Sequence, residues 1–342
     1  MKKIYLCMIF LILFVMGFAS NSGKQIIDCS GNKVKIPESK DIKRIVVVSP
    51  PIFPMILSMV DDYEKVVAVH PLGLKNANEE ILIKRYPKIK KMNTTFVKGF
   101  NVNVESVLAL NPDIIFCYGV QQKKNLDGLN IPIVDFLIPE NNDPIYTLNK
   151  WTDLLNEIFD LKKSSFIMEE LKKIKKIETE KKNKTKVLVI INNVNNKITI
   201  SASNSYEDYW LNYAGMENVA GNRGGWQGWQ EVNIEEIYNW QPDKILIFMG
   251  PKAEEYLNGN MGKEWERLKA IKNKEVYNIP KGYFNWNVPN PDSPLMYSWL
   301  ISLMRNDQKS FYEEIKRYYE KNYDIKLDEK DIDSILNPKE GK

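Results

Sequence analysis

Two carboxylates stand in matched settings, 130 residues apart. Glu105 lies in the stretch 103–119, NVESVLALNPDIIFCYG, and Glu235 in the stretch 233–250, NIEEIYNWQPDKILIFMG. Each follows an Asn by two residues and precedes a Pro-Asp pair by seven: Asn103, Pro112 and Asp113; Asn233, Pro242 and Asp243. An Asn at the start of a helix accepts a backbone N–H and caps it. A Glu two residues on then sits in the first turn, where the helix dipole favours negative charge. Other catalytic signals are sparse. The chain has one histidine, His70, which excludes a multi-histidine metal cage. There is no Walker A loop and no GxSxG, CxxC or HExxH motif. No nucleophile–base pair stands out in the sequence, so catalysis is not expected.

The elements around these residues follow from periodicity. Val104, Val107 and Leu108, like Ile234, Ile237 and Tyr238, have helical spacing. After each Pro-Asp turn comes a short apolar run, 114–116 or 245–248, that reads as a buried strand. Two matched helix–turn–strand units predict two similar α/β lobes facing each other across a cleft. A hairpin is expected over 25–37, with strands at 43–48, 65–70 and 131–137 and a helix at 54–60. The second lobe is expected to have strands at 186–191, 198–201 and 275–279 and helices at 206–214 and 265–271. This alternation predicts parallel sheets. The stretch 143–182 has no Gly, one Pro at its start, and apolar residues from Trp151 to Ile177 at helical spacing. It is expected to be one or two long helices joining the lobes, with its lysines on a solvated face. Helices at 295–304 and 310–319 close the fold, and the tail adds a loop and one short helix. The division expected is a leader over 1–20, lobes over 25–142 and 183–320, the interlobe helix over 143–182, and a tail over 321–342.

Open parallel sheets bind ligands at the carboxyl ends of their strands. Those ends offer Ser49, His70, Phe96 and Phe100 in the 94–100 loop, and Tyr118. They also offer Trp226 and Trp229 in a Gly- and Trp-rich loop, and Phe284 and Trp286 in an aromatic, Pro-rich loop. A Trp in a Gly-rich loop is costly to leave wet. It either contacts a ligand or packs on its own lobe. Arg223 could meet an anionic ligand or lie on the surface. His70 suits an ordinary strand-end hydrogen bond better than a metal.

Composition narrows the class. The formal net charge is +4, and Lys2 and Lys3 supply two of those charges, so a nucleic-acid footprint is not indicated. Lys2 and Lys3, the apolar run 4–18, and small Gly17 and Ala19 read as an export signal. The rival is a retained membrane anchor. Cys7 falls inside the apolar run, so no lipobox is present. Cys29 and Cys117 would remain after export, either paired or as two unrelated thiols.

The chain resembles the class III periplasmic substrate-binding proteins of ABC importers. The resemblance rests on DCSGNKVKIP (28–37), RIVVVSP (44–50), VVAV (66–69), the two Asn/Glu/Pro-Asp units, and the segment from Trp265 to Pro280. It implies two Rossmann-like α/β lobes joined by a long helix, a ligand cleft, and little closing motion. It places Glu105 and Glu235 where family members contact arginines of the permease; capping and docking are compatible roles. In the vitamin B12-binding branch an aromatic stands six residues before each glutamate. Trp229 fits that position, whereas Gly99 stands in the first lobe. The resemblance implies a metal-bearing ligand such as a ferric siderophore, haem or cobalamin, or alternatively molybdate, tungstate or a nickel chelate. It implies no intrinsic cofactor, no protein-bound metal, an extracytoplasmic monomer, and an ABC permease with its ATPase as partners. The competing classes are a two-lobed α/β transferase, for which the 221–228 loop is a poor phosphate cradle, and a surface interaction protein with an unused cleft.

Overall fold

The computed structural model describes residues 23–161, 166–177, 184–195, 197–224 and 228–338. The expected leader over 1–20 and the last four residues lie outside them. The first lobe opens with a hairpin, β1 (Gly23–Ile27) and β2 (Lys33–Pro37). Alternating elements follow: β3 (Ile45–Val47), α1 (Ile52–Met59), β4 (Val66–Val69), α2 (Pro71–Lys75) and α3 (Glu79–Leu82). A small pair, β5 (Val97–Lys98) and β6 (Asn101–Val102), leads into α4 (Val104–Ala109), β7 (Ile114–Cys117), α5 (Gly119–Lys123) and β8 (Ile133–Asp135). The sheet order is β4-β3-β7-β8, all parallel.

The connecting helix α6 (Pro144–Phe159) starts where Asp143 caps the backbone N–H groups of Ile145 and Tyr146 at 2.9 and 3.2 Å. Pro144 at its first position needs no N–H partner. Leu148, Trp151, Leu155 and Ile158 form its buried stripe. The helix is shorter than expected. Asp160 takes a left-handed conformation (φ 52°) and ends it. A short α7 (Phe166–Leu171) follows, and residues 174–177 are not helical. The remaining residues of the expected 143–182 helix, 162–165 and 178–182, lie outside the description.

The second lobe contains β9 (Lys186–Val194), β10 (Lys197–Ser201), α8 (Tyr206–Tyr213), β11 (Glu217–Asn218), β12 (Trp229–Val232), α9 (Ile234–Trp240), β13 (Lys244–Ile247) and α10 (Ala253–Leu257). It continues through a 3₁₀ turn at Trp265–Arg267, α11 (Lys269–Lys272) and β14 (Val276–Asn278). Its sheet order is β12-β10-β9-β13-β14, with β11 beside β9. The strands β9, β13, β14 and β11 run parallel, whereas β10 and β12 are antiparallel additions. The chain ends in α12 (Ser293–Arg305), α13 (Gln308–Tyr323) and α14 (Glu329–Leu336).

The alternation of side chains along the strands splits the core into layers. Ile45 and Val47 of β3 and Val187, Val189 and Ile191 of β9 belong to one apolar cluster with α6, α12 and α13. One face of each sheet therefore meets a shared helical layer. The opposite faces have separate cores, around Phe96 and Val107 in the first lobe and around Ile237 and Trp265 in the second. Each fully buried Leu, Ile or Val in these layers contributes roughly 1.5–3 kcal/mol. The tail also packs back on the first lobe. Lys84 pairs with Asp331, Arg85 donates to the Tyr323 carbonyl, and Asn78 donates to Ser334 Oγ at 2.9 Å. The two thiols are free. Cys117 faces the first lobe's own core, while Cys29 packs on the shared layer, so the sheet separates them.

Candidate functional site

The paired units repeat the same hydrogen bonds. Asn103 Oδ1 accepts the Ser106 N–H at 2.8 Å, and Asn233 Oδ1 accepts the Glu236 N–H at 2.9 Å. The second unit adds a capping box, since Glu236 accepts the Asn233 N–H at 3.0 Å. In each unit the Pro-Asp carboxylate reaches the start of a central strand, β3 in the first lobe and β9 in the second. Asp113 Oδ2 accepts the N–H groups of Lys43 and Arg44, and Asp243 Oδ2 accepts that of Lys186. These contacts hold Glu105 and Glu235 at the same place on each lobe, in the first turn of α4 and α9. Both are exposed, and neither forms an ion pair among the described residues. The exposed carboxylates are thus free to meet cations of another molecule.

The strand ends hold a second group. Ser49 follows β3, is fully buried, and its Oγ has no hydrogen-bond partner among the described residues. His70 follows β4 and caps α2: Nδ1 accepts the Leu72 N–H (3.1 Å) and Nε2–H donates to the Gly99 carbonyl (2.8 Å). Burial pushes its pKa below the ordinary value, against the opposing pull of the Gly99 carbonyl. The ring is neutral with both nitrogens engaged, so it has no free lone pair for a metal. Exposed Phe100 stacks on it with centroids 5.1 Å apart. Tyr118 follows β7, and its hydroxyl lies 3.3 Å from that of Tyr206 at the start of α8. This contact joins the carboxyl end of the first sheet to the second lobe.

Several of the expected ligand-binding residues are buried or already paired within the protein. Phe96 is fully buried in the first lobe's core, because the 94–100 loop turns its ring under the sheet. Phe284 and Trp286 are buried too, and Trp286 Nε1 donates to Asp292 (3.1 Å). Arg223 pairs with Glu236 and lies over the Trp240 ring, 5.1 Å from its centroid, so its charge is already met. Trp229 begins β12, half-buried against the shared layer. Trp226 lies outside the described residues.

Other polar residues at this end of the lobes were not singled out by sequence. Glu207 is buried and accepts Asn287 Nδ2–H (2.7 Å) and the Ser201 hydroxyl (3.2 Å). Burial raises its pKa, and these hydrogen bonds oppose the rise. Asn287 Oδ1 is buried without a partner among the described residues. Asp292 accepts the hydroxyls of Tyr319 and Tyr323 (both 2.6 Å) and the Tyr283 N–H (2.7 Å), fixing the aromatic loop to α13. Burial raises this carboxyl's pKa as well, again against its donors. Glu207 lies 80 residues from Asn287, and Asp292 lies 27 and 31 residues from Tyr319 and Tyr323, so these buried acids leave no local pattern beyond the Pro-Asp-Ser at 291–293.

A sequence model of the family described as "Periplasmic binding protein" matches residues 80–283. The chain belongs to that family. Its members are substrate-binding transport proteins and not enzymes, which agrees with the absence of a catalytic signature in the sequence. The molybdate-binding protein MolA of Haemophilus influenzae is 23% identical over 345 residues, covering 91% of this chain and 94% of the relative. A periplasmic solute binding protein from Veillonella parvula has a TM-score of 0.74 at 26% identity, covering 92% of this chain and 97% of that one. The structure of MolA bound to molybdate has a TM-score of 0.72 at 21% identity, covering 89% and 99%. These likenesses bear out the two-lobed α/β fold.

Proposed function

We propose that this protein is the extracytoplasmic solute-binding component of an ABC importer. It captures a metal-containing solute between its lobes and delivers it to a permease driven by an ATPase. The observation that carries the reading is the exposed carboxylate pair, Glu105 and Glu235, held at matched positions by matched caps. A partner with one cation for each lobe would contact both at once. The protein acts as a monomer, since each chain contains both carboxylates.

The solute is a metal chelate or a metal oxyanion of the molybdate type. The oxyanion reading is favoured by the buried, unpartnered Ser49 hydroxyl and by burial of Phe96, Phe284 and Trp286, which removes much of the aromatic surface a large macrocycle would use. The likeness to MolA along most of the chain supports the same reading. Thermal unfolding with molybdate, tungstate, iron(III) chelates, haem, nickel chelates and cobalamin tests it. A ligand bound only by the folded state stabilises by about 2.7 kcal/mol at a hundred times its Kd. A rise in Tm with one class of metal-containing solute is expected. No rise with any of them contradicts the proposal.

A further inference from the structure

Two buried polar groups without a partner flank the place where the lobes touch. Ser49 stands at the end of β3, and its N–H donates to the Phe116 carbonyl at 3.3 Å, two residues before Tyr118. The Tyr118 hydroxyl meets that of Tyr206 across the junction at 3.3 Å. A second bond crosses close by, from Asn142 Nδ2–H to the Asn204 carbonyl at 2.8 Å. The residue after Tyr206 is Glu207, whose Oε1 accepts Asn287 Nδ2–H at 2.7 Å. Ser49 and Asn287 are both fully buried, and Ser49 Oγ and Asn287 Oδ1 have no hydrogen-bond partner among the described residues. A buried oxygen left without a partner costs about 1–3 kcal/mol, and a ligand that reaches it removes that cost.

Glu207 decides which end of the Asn287 amide is presented. A carboxylate only accepts, so the amide turns its N–H toward Glu207 and leaves Oδ1 unpaired. An oxyanion is acceptor-only too, and both Oδ1 and the buried charge repel it. With one proton on Glu207 Oε1 the amide can turn over. Its Oδ1 then accepts the carboxyl O–H, and Nδ2–H becomes the free donor. The Ser201 hydroxyl, which donates to Glu207 Oε2 at 3.2 Å, keeps the carboxyl in place meanwhile. Burial favours the protonated form, against the pull of these donors. No lysine or arginine pairs with Glu207 among the described residues. Titratable groups on the elements packed around it are engaged or exposed. On α8 Asp208 accepts Asn218 Nδ2–H (3.0 Å); at the head of α6 Asp143 accepts the Tyr213 hydroxyl (2.8 Å); on α12 Tyr297 donates to the Lys175 carbonyl (2.7 Å). Lys150, Asp153 and Glu157 of α6 and Arg305 of α12 are exposed.

We infer that Asn287 contacts the solute, that Glu207 is the residue positioning its amide, and that capture of an oxyanion takes up one proton from solvent at Glu207. The inference rests on the solute-capture reading above and on its oxyanion branch. It adds a contact residue and a proton to that reading.

Calorimetric titration with molybdate, and again with tungstate, in buffers of different ionisation enthalpy counts the protons taken up. The series runs from about pH 6 to 9, above the range where ordinary carboxylates titrate. Where Glu207 starts ionised, the wild type should take up close to one proton per oxyanion, and its affinity should fall by roughly tenfold per pH unit. Glu207→Gln supplies a permanent N–H to Asn287 Oδ1, so it should bind with an affinity that is flat with pH and take up no proton. Asn287→Ala should weaken binding by roughly tenfold, the size of one charge-assisted hydrogen bond. Infrared difference spectra of the wild type, loaded against free, should gain the carbonyl stretch of one protonated carboxyl. Circular dichroism checks that the variants fold; if one does not, the wild-type proton count and spectrum decide. The inference is overturned by any of four results: no proton uptake by the wild type, equal uptake by Glu207→Gln, no new carboxyl band, or binding by Asn287→Ala within about twofold of wild type. Binding of neither oxyanion overturns it too, whereas capture itself fails only if the wider thermal panel is also negative.

Discussion

Asp113 and Asp243, 130 residues apart, anchor the two lobes by the same bond: each carboxylate accepts a backbone N–H at the residue that leads into or opens its lobe's first central strand, at 2.8 Å from Arg44 and from Lys186. The reverse bond is also shared. The N–H of Asp113 donates to the Arg44 carbonyl and that of Asp243 to the Lys186 carbonyl, both at 2.8 Å. The Pro-Asp turn therefore fixes where each α4-type helix leaves its sheet, and with it the position of the glutamate above.

Asp113→Ala leaves two backbone N–H groups without their acceptor and should cost about 1–3 kcal/mol. Asp243→Ala removes one such bond and the partly exposed Lys269 contact, and should cost about 1–2 kcal/mol. Sharing no partners, the two should add. Urea unfolding of both single variants and the double variant measures this, and a near-zero cost for Asp113→Ala would refute the anchoring role.

The buried Glu207 predicts a pH dependence. Its folded-state pKa is raised by burial. Its contribution to stability is therefore full below the ordinary glutamate value of about 4.3 and is lost as pH rises through the raised value. Glu207→Gln should remove this part of the pH dependence. The new amide has a waiting acceptor, Asn287 Oδ1, once that side chain turns over. Thermal unfolding from acid to neutral pH should show a flatter profile than wild type; an unchanged slope counts against the assignment.

Phe96 and Trp286 should behave as core residues. Phe96→Ala and Trp286→Ala should each destabilise by about 3–5 kcal/mol. Phe100→Ala should change stability by less, because that ring is exposed. Chemical denaturation distinguishes these outcomes. A fully stable Phe96→Ala variant would contradict its role in the first lobe's core.

Gly282 is required by close approach. A β-carbon there would overlap the Tyr319 hydroxyl and the Asp292 carboxylate. Gly282→Ala should displace the tyrosine cage and cost about 1–3 kcal/mol. Differential scanning calorimetry should record the loss, and an unchanged Tm would show that the cage yields without strain.

The sequence makes the repeated units legible because their signals are local. Cap, first-turn acid, Pro-Asp turn and apolar run all fall within one short stretch, and each has its own physical cause. The same holds for the hairpin and most strands. The end of α6 was harder to read, since the apolar spacing continues past Phe159 and only the left-handed Asp160 stops the helix. The antiparallel pairing of β10 leaves no mark in its composition, and β12 opens on a Trp of the Gly- and Trp-rich loop and has only one buried residue, Val232, so it does not read as a strand. The burial of the aromatic loop is hidden for a related reason. Phe284 and Trp286 sit among Gly and Pro, as ligand-binding aromatics do, but α13 returns from some thirty residues downstream to bury them.

The most direct test replaces both Glu105 and Glu235 with Ala and measures solute uptake alongside solute affinity. Uptake should be abolished while affinity for the solute identified in the thermal screen stays unchanged, because both carboxylates are exposed and unpaired among the described residues. Normal uptake by the double variant would contradict the account.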